Sequence, residues 1–178
     1  LLVVARSPRA HQALVMQLKE HRVQREYEAV VNGVLTGGGR VDQPIGRHPV
    51  RRTLMAVTAS GKPAITDYRV AARFRAHTHV TAHLHTGRTH QIRVHMAHLG
   101  HPLVGDGTYG GRARLPPRPA PELVAVVQGF KRQALHARRL RLEHPATGEP
   151  MAWESPLPGD LVALLDALRL DARAENQR

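Results

Sequence analysis

Residues 84–111, LHTGRTHQIRVHMAHLGHPLVGDGTYGG, restrict the fold of this chain more than any other stretch. They read as the end of a strand, a sharp turn at Thr86 and Gly87, one short helix and a glycine-rich loop. Thr89 is the expected N-cap, because its hydroxyl can accept from a free backbone N–H of the first turn. Ile92, Met96 and Leu99 recur at i, i+4 and i+7 and give the helix a single apolar stripe. Gly100 supplies the left-handed residue that closes the helix, and Pro102 forbids its continuation. The other faces carry Arg88, Gln91, Arg93, His95 and His98. The helix start behind Gly87 is an expected anion site, and Arg88 the expected phosphate contact there. Arg88 and Arg93 are five residues apart, on different faces, and so have different tasks.

The charge narrows the class of partner. Lys and Arg number 26 against 14 acids, a formal charge of +12. Such a balance favours a polyanion. No apolar run is long enough to span a bilayer, so nucleic acid is preferred to a membrane. Aromatic residues are only 3% of the chain, too few to spread base stacking over a sheet, so any stacking falls to one or two rings. The chain has no cysteine, which rules out disulfides and thiolate metal sites and fits a cytoplasmic setting.

In chain order, residues 1–5 have a buried-strand pattern, LLVVA. Ser7 and Pro8 open a helix to about His21, with Ala10, Leu14 and Leu18 inward. Residues 25–33, REYEAVVNG, alternate as a strand with Tyr27, Ala29 and Val31 on one side. A basic loop follows, with Arg47, His48, Arg51 and Arg52. Residues 53–58 and 65–75 read as a hairpin turning at Ser60, Gly61 and Lys62. Residues 79–85 alternate again. Residues 112–121, rich in proline and arginine, should form an exposed loop carrying Arg112, Arg114 and Arg118. Residues 134–143 and 151–154 are expected strands around a turn. Asp160 caps a last helix with Leu161, Leu164, Leu165 and Leu168 apolar, and the tail from Asp171 is expected to be disordered. The pattern gives one domain over residues 1–170, of α+β class, with a mixed, mostly antiparallel sheet and flanking helices.

Thirteen histidines raise a metal hypothesis, but no HExxH pattern and no carboxylate in the same helix support it. Asp106, between Gly105 and Gly107, reads better as the tie of a tight turn than as a catalytic acid. Tyr27 fits two readings equally, a core residue or a ring that stacks on a base. The arginines at 47, 51 and 52, and at 112, 114 and 118, are grouped beside glycines and favour phosphate contact.

Taken together, residues 84–111 closely resemble the GRTHQIRVH…GHPLVGD…YGG signature of the RluA-type pseudouridine synthases. Residues 25–33 resemble that family's K/R-x-Y-x-A-x-V-x-G motif. Residues 44–49 (PIGRHP), 55–57 (MAV), 61–64 (GKPA) and 132–137 (RQALHA), with His144 and Pro145, follow in the family's order. The resemblance implies a cofactor-free isomerase that converts selected uridines of 23S rRNA to pseudouridine, acting as a monomer in the cytoplasm. It implies that Tyr27 stacks on uracil and takes the C5 proton, that Arg93 pairs with a nucleophilic aspartate, and that Leu135 walls the pocket. The family nucleophile stands in an HRLDxxTSGLLLVA motif, of which residues 1–5 resemble the tail. Its aspartate is therefore expected about six residues ahead of Leu1, so these 178 residues alone should be inactive. The rival expectation is a non-catalytic RNA-binding module on the same fold.

Overall fold

A computed structural model of the protein describes residues 1–110 and 113–176. Its centre is a six-stranded sheet whose strands lie side by side in the order Gly39–Asp42, Ile65–Arg73, His77–Leu84, Gln24–Asn32, Leu135–Glu143, Pro150–Glu154. The strands are β1 (Gln24–Asn32), β2 (Gly39–Asp42), β5 (Ile65–Arg73), β6 (His77–Leu84), β7 (Leu135–Glu143) and β8 (Pro150–Glu154). Strands β3 (Ile45–Arg47) and β4 (Met55–Val57) form a small second sheet. Every strand pairing is antiparallel, and with helices α1 (Pro8–Lys19), α2 (Gln91–His98), α3 (Pro121–Gly129) and α4 (Gly159–Asn176) this is the expected α+β class. No helix among the described residues is long and apolar enough to cross a membrane.

Strand β1 belongs to both layers. Ala29 and Val31 face α2 and pack with Val80, Ala82, Ile92, Met96 and Leu103, with Tyr27, Leu84 and Leu135 at the margin. Val30 points the other way, into a core built from α3, α4, Phe74 and Phe130. Alternation along one strand thus serves two cores, each buried aliphatic side chain contributing about 1.5–3 kcal/mol. Burial rises along the strand, from Gln24 exposed to Ala29–Asn32 buried.

Away from α4, the second face of the sheet is polar and solvated. One residue from each strand forms a row of nearest neighbours, Arg40–Asp67–His83–Glu26–Arg139–Glu154, in which acids and bases alternate. Arg40 binds Asp67 through two nitrogens at 2.6 and 2.9 Å, and Arg139 reaches Glu26 at 3.4 Å and Glu154 at 3.0 Å. Unlike charges opposite one another on neighbouring strands favour this register.

Several expectations are corrected. Residues 1–5 form no strand; Leu2 and Val4 are exposed, and the Leu1 backbone nitrogen lies 3.4 Å from the Ala137 carbonyl of the sheet. In α1, Ser7 caps as expected, with its hydroxyl accepting from Ala10 at 3.2 Å, but Leu18 faces out and Gln17 in. Gln17 is buried because its amide completes the backbone of Glu143, donating to the carbonyl at 2.8 Å and accepting from N–H at 2.9 Å. The hairpin of 53–58 with 65–75 does not exist; β4 pairs with β3 and β5 with β2 and β6. The turn between them is pinned sideways instead, Ile45 and Lys62 exchanging both backbone bonds at 2.9 Å. Gly61 permits this contact, since a Cβ there would lie 2.5 Å from the Ile45 carbonyl carbon. Helix α3 fills a stretch where none was expected. Helix α4 runs to Asn176, so residues 171–176 are no disordered tail. Asp171 is buried, accepting from the Ala120 N–H at 2.8 Å and from Arg75 at 3.0 Å. Arg112 and residues 177–178 lie outside the described residues.

Candidate active site

The β6–α2 turn is built around Gln91. Its carbonyl oxygen accepts from the Thr86 hydroxyl at 2.8 Å and the Arg88 N–H at 2.9 Å, while its amide nitrogen donates to Ile65 O and Thr66 Oγ1, both at 2.9 Å. The buried His95 completes the seam, with Nδ1 2.9 Å from Thr66 Oγ1 and Nε2 3.0 Å from the Gln43 carbonyl. Helix α2 is accordingly shorter than expected. Its N-cap position is His90 in a left-handed conformation (φ 58°), without a side-chain cap, rather than Thr89. Gly100 does take the left-handed closing position, with φ 80°. Arg88 is anchored by Nε to the Pro63 carbonyl at 2.9 Å.

Arg93 and Asp106 form a two-pronged pair, Nε to Oδ2 at 2.7 Å and Nη2 to Oδ1 at 2.8 Å. The Asp106 side chain is 0% exposed and that of Arg93 12%. Asp106 Oδ1 also accepts the N–H groups of Thr108 and Tyr109, at 2.9 and 3.0 Å, so it ties the glycine-rich turn as expected and adds an ion pair that was not foreseen. Burial pushes its carboxyl up, but the Arg93 guanidinium and the two amides outweigh burial and hold it below its ordinary value. Arg93 also lies over the Tyr109 ring, 4.8 Å from its centre, and Tyr109 Oη meets His90 Nδ1 at 3.0 Å and the Met55 N–H at 3.1 Å. The expectation that Arg93 awaits a carboxylate from outside the chain is thus revised. One edge of its fork is occupied, and Nη1 has no hydrogen bond to the described residues.

Tyr27 and Leu135 both pack at the margin of the core that includes Ile92 and Met96 of α2, the helix that carries Arg93. Tyr27 is half-buried, and its hydroxyl makes no hydrogen bond to the described residues. Burial raises its pKa, and the neighbouring Arg25 cation offsets part of the rise. The loop arginines stand apart. Arg47 donates to the Arg52 carbonyl at 3.1 Å, and Arg51 is exposed beside them. Arg114 reaches Gly100 O at 3.5 Å, and Arg118 reaches Glu175 at 3.5 Å. Among the described residues no group of three or more His, Asp or Glu side chains is placed to hold a metal ion. Sequence reasoning missed Asp106 as the partner of Arg93, and gave no role to Arg25, though it stands at the K/R position of the 25–33 motif. The only signal for the first was a turn aspartate whose burial demands a countercharge.

The sequence and the fold match known proteins. The chain belongs to the RNA pseudouridylate synthase family, whose model matches residues 1–98. The ribosomal large subunit pseudouridine synthase D of Pseudomonas aeruginosa is 59% identical to it over 174 residues, 98% of this chain and 54% of that protein. The protein of the same name in Vibrio parahaemolyticus is 56% identical over 171 residues, 96% of this chain and 53% of that one. The chain thus spans about half the length of the curated relatives it matches. Two solved structures have the same fold. Human RNA Pseudouridylate Synthase Domain Containing 1 aligns with a TM-score of 0.69 at 30% identity, covering 96% of this chain and 74% of that one. Human RNA Pseudouridylate Synthase Domain Containing 4 gives 0.67 at 27% identity, covering 89% and 67%.

Proposed function

We propose that the whole protein isomerises specific uridines of 23S rRNA to pseudouridine, with Tyr27, Leu135 and Arg93 in the catalytic pocket. The observation that carries this reading is Tyr27, a half-buried ring packed at the margin of the same core as Leu84 and Leu135, with no hydrogen bond at its hydroxyl among the described residues. Membership of the family supports the reaction class. Stacking on such a ring is worth about 1–3 kcal/mol to a base that has left its own stack. The reaction breaks the N1–C1′ bond, turns the uracil and makes a C5–C1′ bond, so atoms and electrons are conserved and no cofactor is required. The C5 proton must leave and N1 must gain one. The Tyr27 oxygen takes the C5 proton as its own hydroxyl proton passes to solvent, and solvent returns one proton to N1, so the protons balance.

The nucleophile, on this reading, is an aspartate carried ahead of Leu1. Arg93 meets it through the Nη1 edge while Asp106 holds the other edge, so the guanidinium is oriented before the carboxylate arrives. Arg47, Arg51, Arg52, Arg112, Arg114 and Arg118, with Arg88, contact phosphates away from the pocket and position the RNA stem-loop without reading its bases. The protein acts in the cytoplasm and as a monomer.

The test is Tyr27→Phe in the full-length protein. The ring survives and the proton acceptor is lost, so RNA should be bound as by wild type while pseudouridine formation falls by a factor of about 100 or more. Wild-type turnover in this variant would remove Tyr27 as the base. Tight RNA binding by a full-length wild type that forms no pseudouridine would favour the RNA-binding module instead.

A further inference from the structure

Arg25 stands two residues before Tyr27 on β1 and therefore on the same face of the sheet. Its guanidinium is largely buried and poorly served. Nη2 reaches the Leu84 carbonyl only at 3.4 Å, and among the described residues Nε is buried without a partner and no carboxylate lies within ion-pair distance. Burial accordingly lowers its pKa. A cation in that position is costly unless an anion completes it. The backbone nevertheless makes room for it. A Cβ on Gly87 would lie 2.6 Å from Arg25 Nη1, so a side chain at the start of the β6–α2 turn would displace the guanidinium.

Arg25 also separates two concavities, of about 690 and 540 Å³, that meet where His21 Nδ1 binds the His85 carbonyl at 2.7 Å. Arg69 borders the first and Arg88 the second. The one acid bordering either is Asp67, already held by Arg40 and by His85. The groove therefore presents uncompensated positive charge, with its most buried cation next to the tyrosine ring.

The geometry points to Arg25 as the binding residue for a phosphodiester of the RNA backbone, the phosphate flanking the nucleotide that stacks on Tyr27. This rests on the reading of Tyr27 given above. A single strand running along the groove would bring one phosphate to the Nη1–Nη2 end of the guanidinium, where two parallel N–H groups fit two phosphate oxygens as a point charge cannot. Gly87 serves the site by leaving the fork in place.

The experiment uses the full-length protein and a target stem-loop in which the phosphate on either side of the target uridine is replaced, singly, by an uncharged methylphosphonate. Salt-dependent binding is measured for wild type, Arg25→Gln, Arg25→Lys and Gly87→Ala. On unmodified RNA, Arg25→Gln should weaken binding about tenfold or more and flatten the log–log salt slope by about 0.7. Arg25→Lys should keep the slope and lose part of the affinity, and Gly87→Ala should resemble Arg25→Gln while melting close to wild type. On one of the two methylphosphonate RNAs, all four proteins should bind alike. A penalty of equal size on every RNA would overturn the assignment, and would mean that Arg25 serves a carboxylate of the protein or merely supports Tyr27. Binding is read independently of turnover, so absence of pseudouridine with the predicted convergence would sink the catalytic reading and leave the phosphate site standing.

Discussion

Arg93 and Asp106 show how one residue's chemistry depends on another's burial. Asp106 is inaccessible and accepts from two backbone amides as well as from Arg93, so its ionised form has three sources of support. Asp106→Asn leaves an acceptor for the amides but strands the guanidinium, and should cost about 3 kcal/mol of folding stability. Turnover of the full-length enzyme should fall with it, because Arg93 loses its orientation. The pH dependence has a definite sign. The folded pKa of Asp106 lies below its unfolded value, so its contribution is complete above about pH 4 and is lost as pH falls through the folded pKa. Denaturant midpoints followed from pH 6 down to 2 should drop more steeply for wild type than for Asp106→Asn, and parallel curves would contradict the pairing. The sequence could present Arg93 as functional, but not its partner thirteen residues away, because a loop of glycines does not reveal where its carboxylate turns.

At the scale of elements, α2 is held to the sheet by buried polar bonds as well as by its brief apolar stripe. Gln91 alone makes four such bonds, to β5, the turn and Thr86. Gln91→Ala should leave the Thr66 hydroxyl and the Arg88 N–H short of partners and lower stability by about 2 kcal/mol or more, read as a drop in melting temperature. A change under half that size would mean that water replaces the amide. Elements whose periodicity is local were legible beforehand: β1, β6, β7 and β8 alternate, and α4 has its leucines at helical spacing. The false hairpin had sound local turn chemistry, yet strand partners are decided by packing, and Ile45 captured the turn. Helix α3 escaped notice because Val124 to Val127 form a continuous apolar run, which periodicity cannot assign to helix or strand. Tyr27 and Leu135 were legible through family resemblance. Arg25 was not, since its want of a partner is a property of the assembled groove.

Across the whole molecule, charge is distributed unevenly. The row of alternating charges on the sheet is largely self-compensated, whereas Arg47, Arg51, Arg52 and Arg114 have no ion pair among the described residues. If they neutralise RNA phosphates, Arg114→Gln should flatten the salt dependence of binding by about 0.7 log units and weaken target and scrambled stem-loops alike. Loss confined to the target would mean that Arg114 reads a base. The gradient of burial along β1 has a separate consequence, in local stability. Ala29–Asn32 are locked between two cores, whereas Gln24–Tyr27 lie toward the open end of the same strand. Amide hydrogens of Val30 and Val31 should therefore exchange with solvent only when the domain unfolds as a whole, and those of Arg25 and Tyr27 through smaller openings of lower free energy. Native-state exchange in rising denaturant would separate the two classes. One strand is thus an anchor at one end and a yielding margin at the other, so a base entering beside Tyr27 can reshape its surroundings without loosening the rest of the molecule.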